Sequence, residues 1–105
     1  MVQYLLIQTT TDNPEWTTKV INAFLENKVS ADVQVSEIES HYWWKNEIHH
    51  KKEHLLSIKT RADLFKKAES LIQKCSEYEV PQIIATPIVA GSSDYVEWIK
   101  DCTIF

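Results

Sequence analysis

The stretch VQVSEIESHYWWKNEIHHKKEHLLSIKT, residues 33–60, decides how this chain folds. Val33 and Val35, then Tyr42 and Trp44, alternate with polar residues, which is the two-residue period of a strand. Ser36-Glu37 interrupts that alternation and predicts a bulge or bend. Lys45-Asn46 reads as a hairpin turn, because Asn tolerates positive φ. Ile48 to Thr60 is the returning strand, and its Leu55-Leu56-Ser57-Ile58 end is the more buried half. A long antiparallel hairpin therefore occupies the middle of the chain.

Ahead of the hairpin, Val2 to Thr9 is nearly continuously apolar, the signature of a strand covered on both faces or central in a sheet. Asn13-Pro14 starts a helix: Asn is a strong N-cap, and Pro at the first helical position has no N–H to leave unpaired. Trp16, Val20, Ala23 and Phe24 give that helix one apolar face, which fades after Leu25. Behind the hairpin, Thr60-Arg61-Ala62-Asp63 reads as a capping box. Leu64, Phe65, Ala68, Leu71, Ile72 and Cys75 follow at helical spacing, and Pro81 bars continuation. Gln82 to Thr86 is a short buried strand, ended near Pro87. Gly91-Ser92-Ser93 caps a last helix with Tyr95, Trp98, Ile99 and Cys102 on one face.

The order is β-α-β-β-α-β plus a C-terminal helix. This is the α+β class, as a ferredoxin-like sandwich: a four-stranded antiparallel sheet with two helices on one face. At 105 residues the chain makes one domain, 1–105. The uncovered sheet face, and a hairpin reaching past the domain edge around Tyr42-Trp43-Trp44, predict self-association.

Composition removes several function classes. The 11 Lys+Arg against 15 Asp+Glu leave a net charge of −4, which argues against a nucleic-acid partner. The single glycine, Gly91, excludes Gly-rich phosphate loops. No run approaches the roughly 18 apolar residues of a membrane span, so no membrane role is expected. The N-terminal run lacks a basic flank and a small-residue cleavage site, so it reads as a strand and not as a secretory signal. Cys75 and Cys102 make no disulfide framework, and free buried thiols suit a cytoplasmic address. Hydrolase and metalloprotease motifs are absent, and no enzymatic activity is expected.

Four constellations carry possible chemistry. His49-His50-Lys51-Lys52-Glu53-His54 is rich in imidazole, but His50 and His54 on one strand stand about 13 Å apart, too far for one ion; an exposed polar hairpin is the plainer reading. Cys75 and Cys102 sit on the apolar faces of their helices, where thiols act as small hydrophobes. Lys59 ends the third strand, and Tyr78-Glu79 precede the fourth, so they can come near one another; a Lys–Glu pair there is more often a salt bridge than a catalytic acid and base. Tyr42, Trp43, Trp44 and Trp98 are an aromatic set suited to a core, an interface or ligand stacking.

Tyr42-Trp43-Trp44, then Leu55 to Arg61, then Tyr78 to Ile88, then Gly91 with Tyr95-Val96-Glu97-Trp98-Ile99 follow one another in a series that resembles the CutA divalent-cation tolerance proteins. The resemblance implies a ferredoxin-like protomer in a homotrimer similar in architecture to PII signalling proteins. It also implies a role in response to copper and other divalent cations, without catalysis. The chain departs from the family pattern in places: Asp32 stands where that pattern has cysteine, and Ser76-Glu77 where it has His-Pro. Asp32 and Glu77 favour harder cations than cysteine and histidine do. The expected ligand site is an inter-subunit cleft with Lys59, Tyr78 and Glu79, surrounded by Tyr42, Trp44 and Trp98. It would take a divalent cation, copper or another, or a small anionic or polar ligand. The alternatives are a PII-like sensor of a small metabolite and a structural trimer that scaffolds a partner.

Overall fold

The computed structural model describes residues 3–103. Strand β1 (Tyr4–Thr11) leads to helix α1 (Pro14–Glu26), then β2 (Asp32–Trp44) and β3 (Glu47–Arg61). A short 3₁₀ turn (Ala62–Leu64), α2 (Phe65–Cys75), β4 (Ile84–Pro87) and α3 (Ser93–Cys102) complete the chain. Val2, expected to open β1, lies outside the described residues. The strands form one sheet in the order β2-β3-β1-β4, and every pairing is antiparallel. This is the expected ferredoxin-like arrangement.

Local chemistry explains most element ends. The Asn13 side-chain oxygen accepts from the Trp16 N–H at 2.8 Å, with Pro14 at the first helical position. Trp44 faces Glu47 across a two-residue turn in which Lys45 and Asn46 have φ of 50° and 66°. That is the turn whose twist matches a hairpin. Gly91 precedes α3 where a Cβ would come within 2.9 Å of Val96 Cγ1, so the only glycine sits at a close approach.

The expected bulge at Ser36-Glu37 does not exist. The β2–β3 register runs unbroken from Asp32–Lys59 to Trp44–Glu47. The apolar residues change parity because the covered face changes. Val33 and Val35 point to the α1–α2 side, with Leu56 and Ile58, while Tyr42 and Trp44 point to the opposite side. The capping box is also overturned. Thr60 is fully buried inside β3, and its hydroxyl donates to the Val29 carbonyl. Asp63 pairs with Arg61 at 2.5 Å, and a 3₁₀ turn intervenes before α2. Helix α2 stops at Cys75, well short of Pro81, where the Ser76 hydroxyl bridges the Tyr78 backbone N–H and carbonyl at 3.0 Å each. Strand β4 is exposed along its length, not buried, because it is the sheet edge and pairs only with β1.

The main core lies between α1, α2 and the sheet, where Ile7, Phe24, Val29, Leu56, Ile58 and Ala68 are fully buried. Ile99 of α3 is equally buried but lies outside this cluster. Tyr95 of α3 contacts Asp32 and Lys59, which face away from α1 and α2. Helix α3 therefore covers one end of the opposite sheet face, which the one-sided sandwich left open.

Candidate functional site

The β2–β3 hairpin outgrows β1, whose pairing with β3 ends at Thr11–His54. The segment between α2 and β4 runs past the point where the hairpin leaves the sheet. Between them lies a groove of ≈ 960 Å³, lined among others by Tyr42, Trp44, Lys51, Glu53, Tyr78 and Glu79.

Its fixed point is Glu53. Strand alternation turns this carboxylate away from the α1–α2 core, and it is 8% exposed. The Tyr78 hydroxyl donates to it at 2.5 Å, which supplies the partner a buried carboxylate requires. Burial pushes the Tyr78 phenol well above its ordinary range, and the hydrogen bond and charge of Glu53 push it further. The Tyr78 ring meets Trp16 edge-on at 4.7 Å between centroids. On its other side the Lys51 ammonium lies 4.7 Å from the ring centroid. Lys51 also donates to Asp12 at 3.1 Å. Burial works against the Lys51 charge, but the Asp12 contact and neighbouring acidic groups outweigh it and hold the ammonium above its usual value. Tyr42 stacks on His49 at 5.8 Å, and Lys45 lies 5.6 Å from the Trp44 ring centroid. Glu79 reaches Lys45 at 4.0 Å on the exposed rim, a contact that water screens.

The expected cleft residues thus divide within the protomer. Tyr42, Trp44, Tyr78 and Glu79 share the groove. Lys59 lies elsewhere, donating to Asp32 at 2.9 Å and Gln34 at 2.8 Å, under the Tyr95 ring. Its ammonium is disfavoured by burial but held above its usual range by Asp32 and Tyr95. Trp98 packs on Tyr95 at 5.5 Å. Asp32 accepts from Lys59 and from the Tyr95 hydroxyl at 3.0 Å, whereas Glu77 accepts from Asn13 at 3.1 Å. Within the protomer these two carboxylates answer to different partners. Among the described residues, no group of three or more His, Cys, Asp or Glu side chains converges to hold a metal.

Sequence reasoning missed Glu53, Lys51, Asp12 and Trp16 as parts of the groove. Trp16 reads as ordinary helix core. Glu53 has no local signal, because its partner Tyr78 is 25 residues away. The His49–His54 run is divided by alternation. His50 stacks on His41 across the hairpin, and His54 Nδ1 bonds the Thr17 hydroxyl at 2.8 Å.

No described helix is long and apolar enough to cross a membrane. The sequence pattern of the CutA1 divalent ion tolerance proteins matches residues 5–102. The chloroplastic protein CutA of Arabidopsis thaliana is 37% identical over 97% of this chain, and the chain spans 57% of that relative's length. The crystal structure of the divalent ion tolerance protein CutA1 from Ehrlichia chaffeensis superposes with a TM-score of 0.90 at 34% identity, covering 100% of this chain and 99% of that one. The periplasmic divalent cation tolerance protein CutA from Archaeoglobus fulgidus gives a TM-score of 0.92 at 27% identity, covering 94% and 97%. With the sequence pattern and the fold in agreement over nearly the whole chain, the chain belongs to the CutA1 divalent ion tolerance protein family.

Proposed function

We propose that this protein acts without catalysis in tolerance of divalent metal ions, copper among them, as a homotrimer that binds a cation or a small polar ligand in the groove beside Tyr78. The observation that carries the reading is the groove itself. Aromatic walls, Tyr42 and Trp44, stand over a rim that includes Glu77 and Glu79. The family membership supports the link to divalent ions. The trimer is supported by the apolar side chains left exposed on the hairpin and on β4, namely Trp43, Ile48 and Ile84. A cytoplasmic address is part of the proposal and rests on the two free cysteines, whereas the compared relatives include a chloroplastic and a periplasmic protein.

Titration calorimetry of the purified protein with Cu(II), Zn(II), Mg(II) and a nucleotide panel tests the reading. Saturable heat for a divalent ion, weakened by Glu79→Ala, is expected. No heat for any metal below millimolar concentration overturns direct cation binding. Size-exclusion chromatography with light scattering is expected to give a trimer, and a monomer at micromolar concentration overturns the assembly. A second reading, a sensor of a small metabolite, is favoured by one observation: the Lys51 cation shares a groove of small-molecule size with the aromatic side chains Tyr42, Trp44 and Tyr78. Saturable binding from the nucleotide panel without metal heat selects it.

A further inference from the structure

We propose that the groove beside Tyr78 takes a planar organic cation of the amidinium or guanidinium class, held by the Glu53 carboxylate among the aromatic side chains. This ligand class rests on the groove being a binding site and narrows what fills it. Glu53 lines the groove and is 8% exposed. By strand alternation it shares its face of the hairpin with Tyr42 and Trp44, and not with Trp43 and Ile48. A carboxylate offers about four acceptor positions on its two oxygens. Among the described residues, only the Tyr78 hydroxyl donates a hydrogen bond to this one. Burying a carboxylate is costly while its acceptor positions stay empty, so Glu53 has room and reason to receive further donors. Lys51, two residues along the same face, does not supply them. Its ammonium donates to Asp12 at 3.1 Å and lies over the Tyr78 ring.

Charge and shape select the donor. With imidazoles neutral, the lining side chains set Glu53, Glu77 and Glu79 against the single ammonium of Lys51, so the groove favours a cationic ligand. Two of its rings already hold ammonium groups at cation–π distance: Lys51 on Tyr78 at 4.7 Å and Lys45 on Trp44 at 5.6 Å. A compact ammonium is strongly hydrated and gives up that shell at a cost. An amidinium or guanidinium is flat and more weakly hydrated. It presents two parallel N–H groups to the two oxygens of a carboxylate and stacks on aromatic faces, which Tyr42 and Trp44 provide. A second copy of the chain does not deliver such a group. Arg61 is its only arginine, nearly buried and paired with Asp63 at 2.5 Å. The source is therefore a free small molecule or an arginine side chain of a different protein.

The test is calorimetric titration of benzamidine, benzylamine and benzamide into the full-length protein at about pH 8, where ordinary imidazoles are neutral. The three probes share a ring and differ in the head group: a planar cation, a compact ammonium and a neutral amide. Benzamidine is expected to bind saturably and at least about tenfold more tightly than benzamide, with benzylamine between them. Glu53→Gln keeps an oxygen for the Tyr78 hydroxyl and is expected to abolish the preference for benzamidine over benzamide, with the fold checked by circular dichroism. Tyr78→Phe keeps the carboxylate and frees one of its acceptor positions, so it is expected to bind benzamidine at least as tightly as the native protein. Benzamidine binding no tighter than benzamide or benzylamine overturns the proposal. So does an undiminished preference in Glu53→Gln, or a loss in Tyr78→Phe that matches the loss in Glu53→Gln. Butylguanidine and N-acetylarginine methylamide separate the two sources. Tighter binding of the first points to a free small molecule, tighter binding of the second to an arginine side chain, and both support the ligand class. Saturable metal or nucleotide binding without benzamidine binding overturns this class and leaves the groove reading standing, whereas no binding by any of them overturns both.

Discussion

At the inner end of the β2–β3 ladder, Val33 faces Ile58, and Ile58 and its neighbour Leu56 are fully buried in the core beneath α1 and α2. At the outer end, Trp43 faces Ile48 in the same unbroken register, yet the two are 70% and 68% exposed. Backbone pairing is equal at both ends, so pairing does not explain the apolar residues at the tip. The inner end is a core within one protomer. The outer end presents core-like chemistry that a single protomer does not cover, which is the signature of a surface made for another molecule. Glu53 and Tyr78 clasp the chain where the two regimes meet.

The contrast is open to breakage. Phe24→Ala, in the fully buried core, is expected to lower unfolding stability by about 3–5 kcal/mol in a denaturant titration. Tyr78→Phe strips the donor from a buried carboxylate and is expected to cost about 1–3 kcal/mol. The same variant changes the alkaline limb. The folded protein keeps the Tyr78 proton, which the unfolded chain gives up above about pH 10. That contribution is whole below about pH 10 and lost as the pH rises toward the folded value, so the native protein loses stability more steeply there than Tyr78→Phe. Lys51 and Lys59 fall in the same direction in both proteins and cancel in the comparison. Trp43→Ser is expected to change protomer stability by under about 0.5 kcal/mol while shifting self-association measured by light scattering. A large stability loss in the protomer would show that the tip is core after all.

Much of the fold was legible because element type is a local property. Period two at the two ends of β2, the Asn13-Pro14 start and the Lys45-Asn46 turn each follow from neighbours in sequence. The misreadings have local causes too. Thr60-x-x-Asp63 has the letters of a capping box, but strand burial had already claimed the Thr60 hydroxyl. The parity switch along β2 looked like a bulge, because a change in which face is covered imitates a slip in register.

The site was legible only in part. Tyr42, Trp44, Tyr78 and Glu79 were named from sequence and share the groove. Lys59 and Trp98 were named with them but within the protomer belong to the α3 contact at the other end of the same sheet face. The sequence by itself determined the order of elements, the hairpin turn and the family, since these depend on local dihedral preference, hydrophobic period and matched blocks. Only the tertiary structure decided that α3 covers one end of the second sheet face and that Tyr78 finds Glu53. Each of those contacts joins residues far apart in the chain, and its existence depends on strand register and on which face a helix docks, neither of which is encoded at either residue alone.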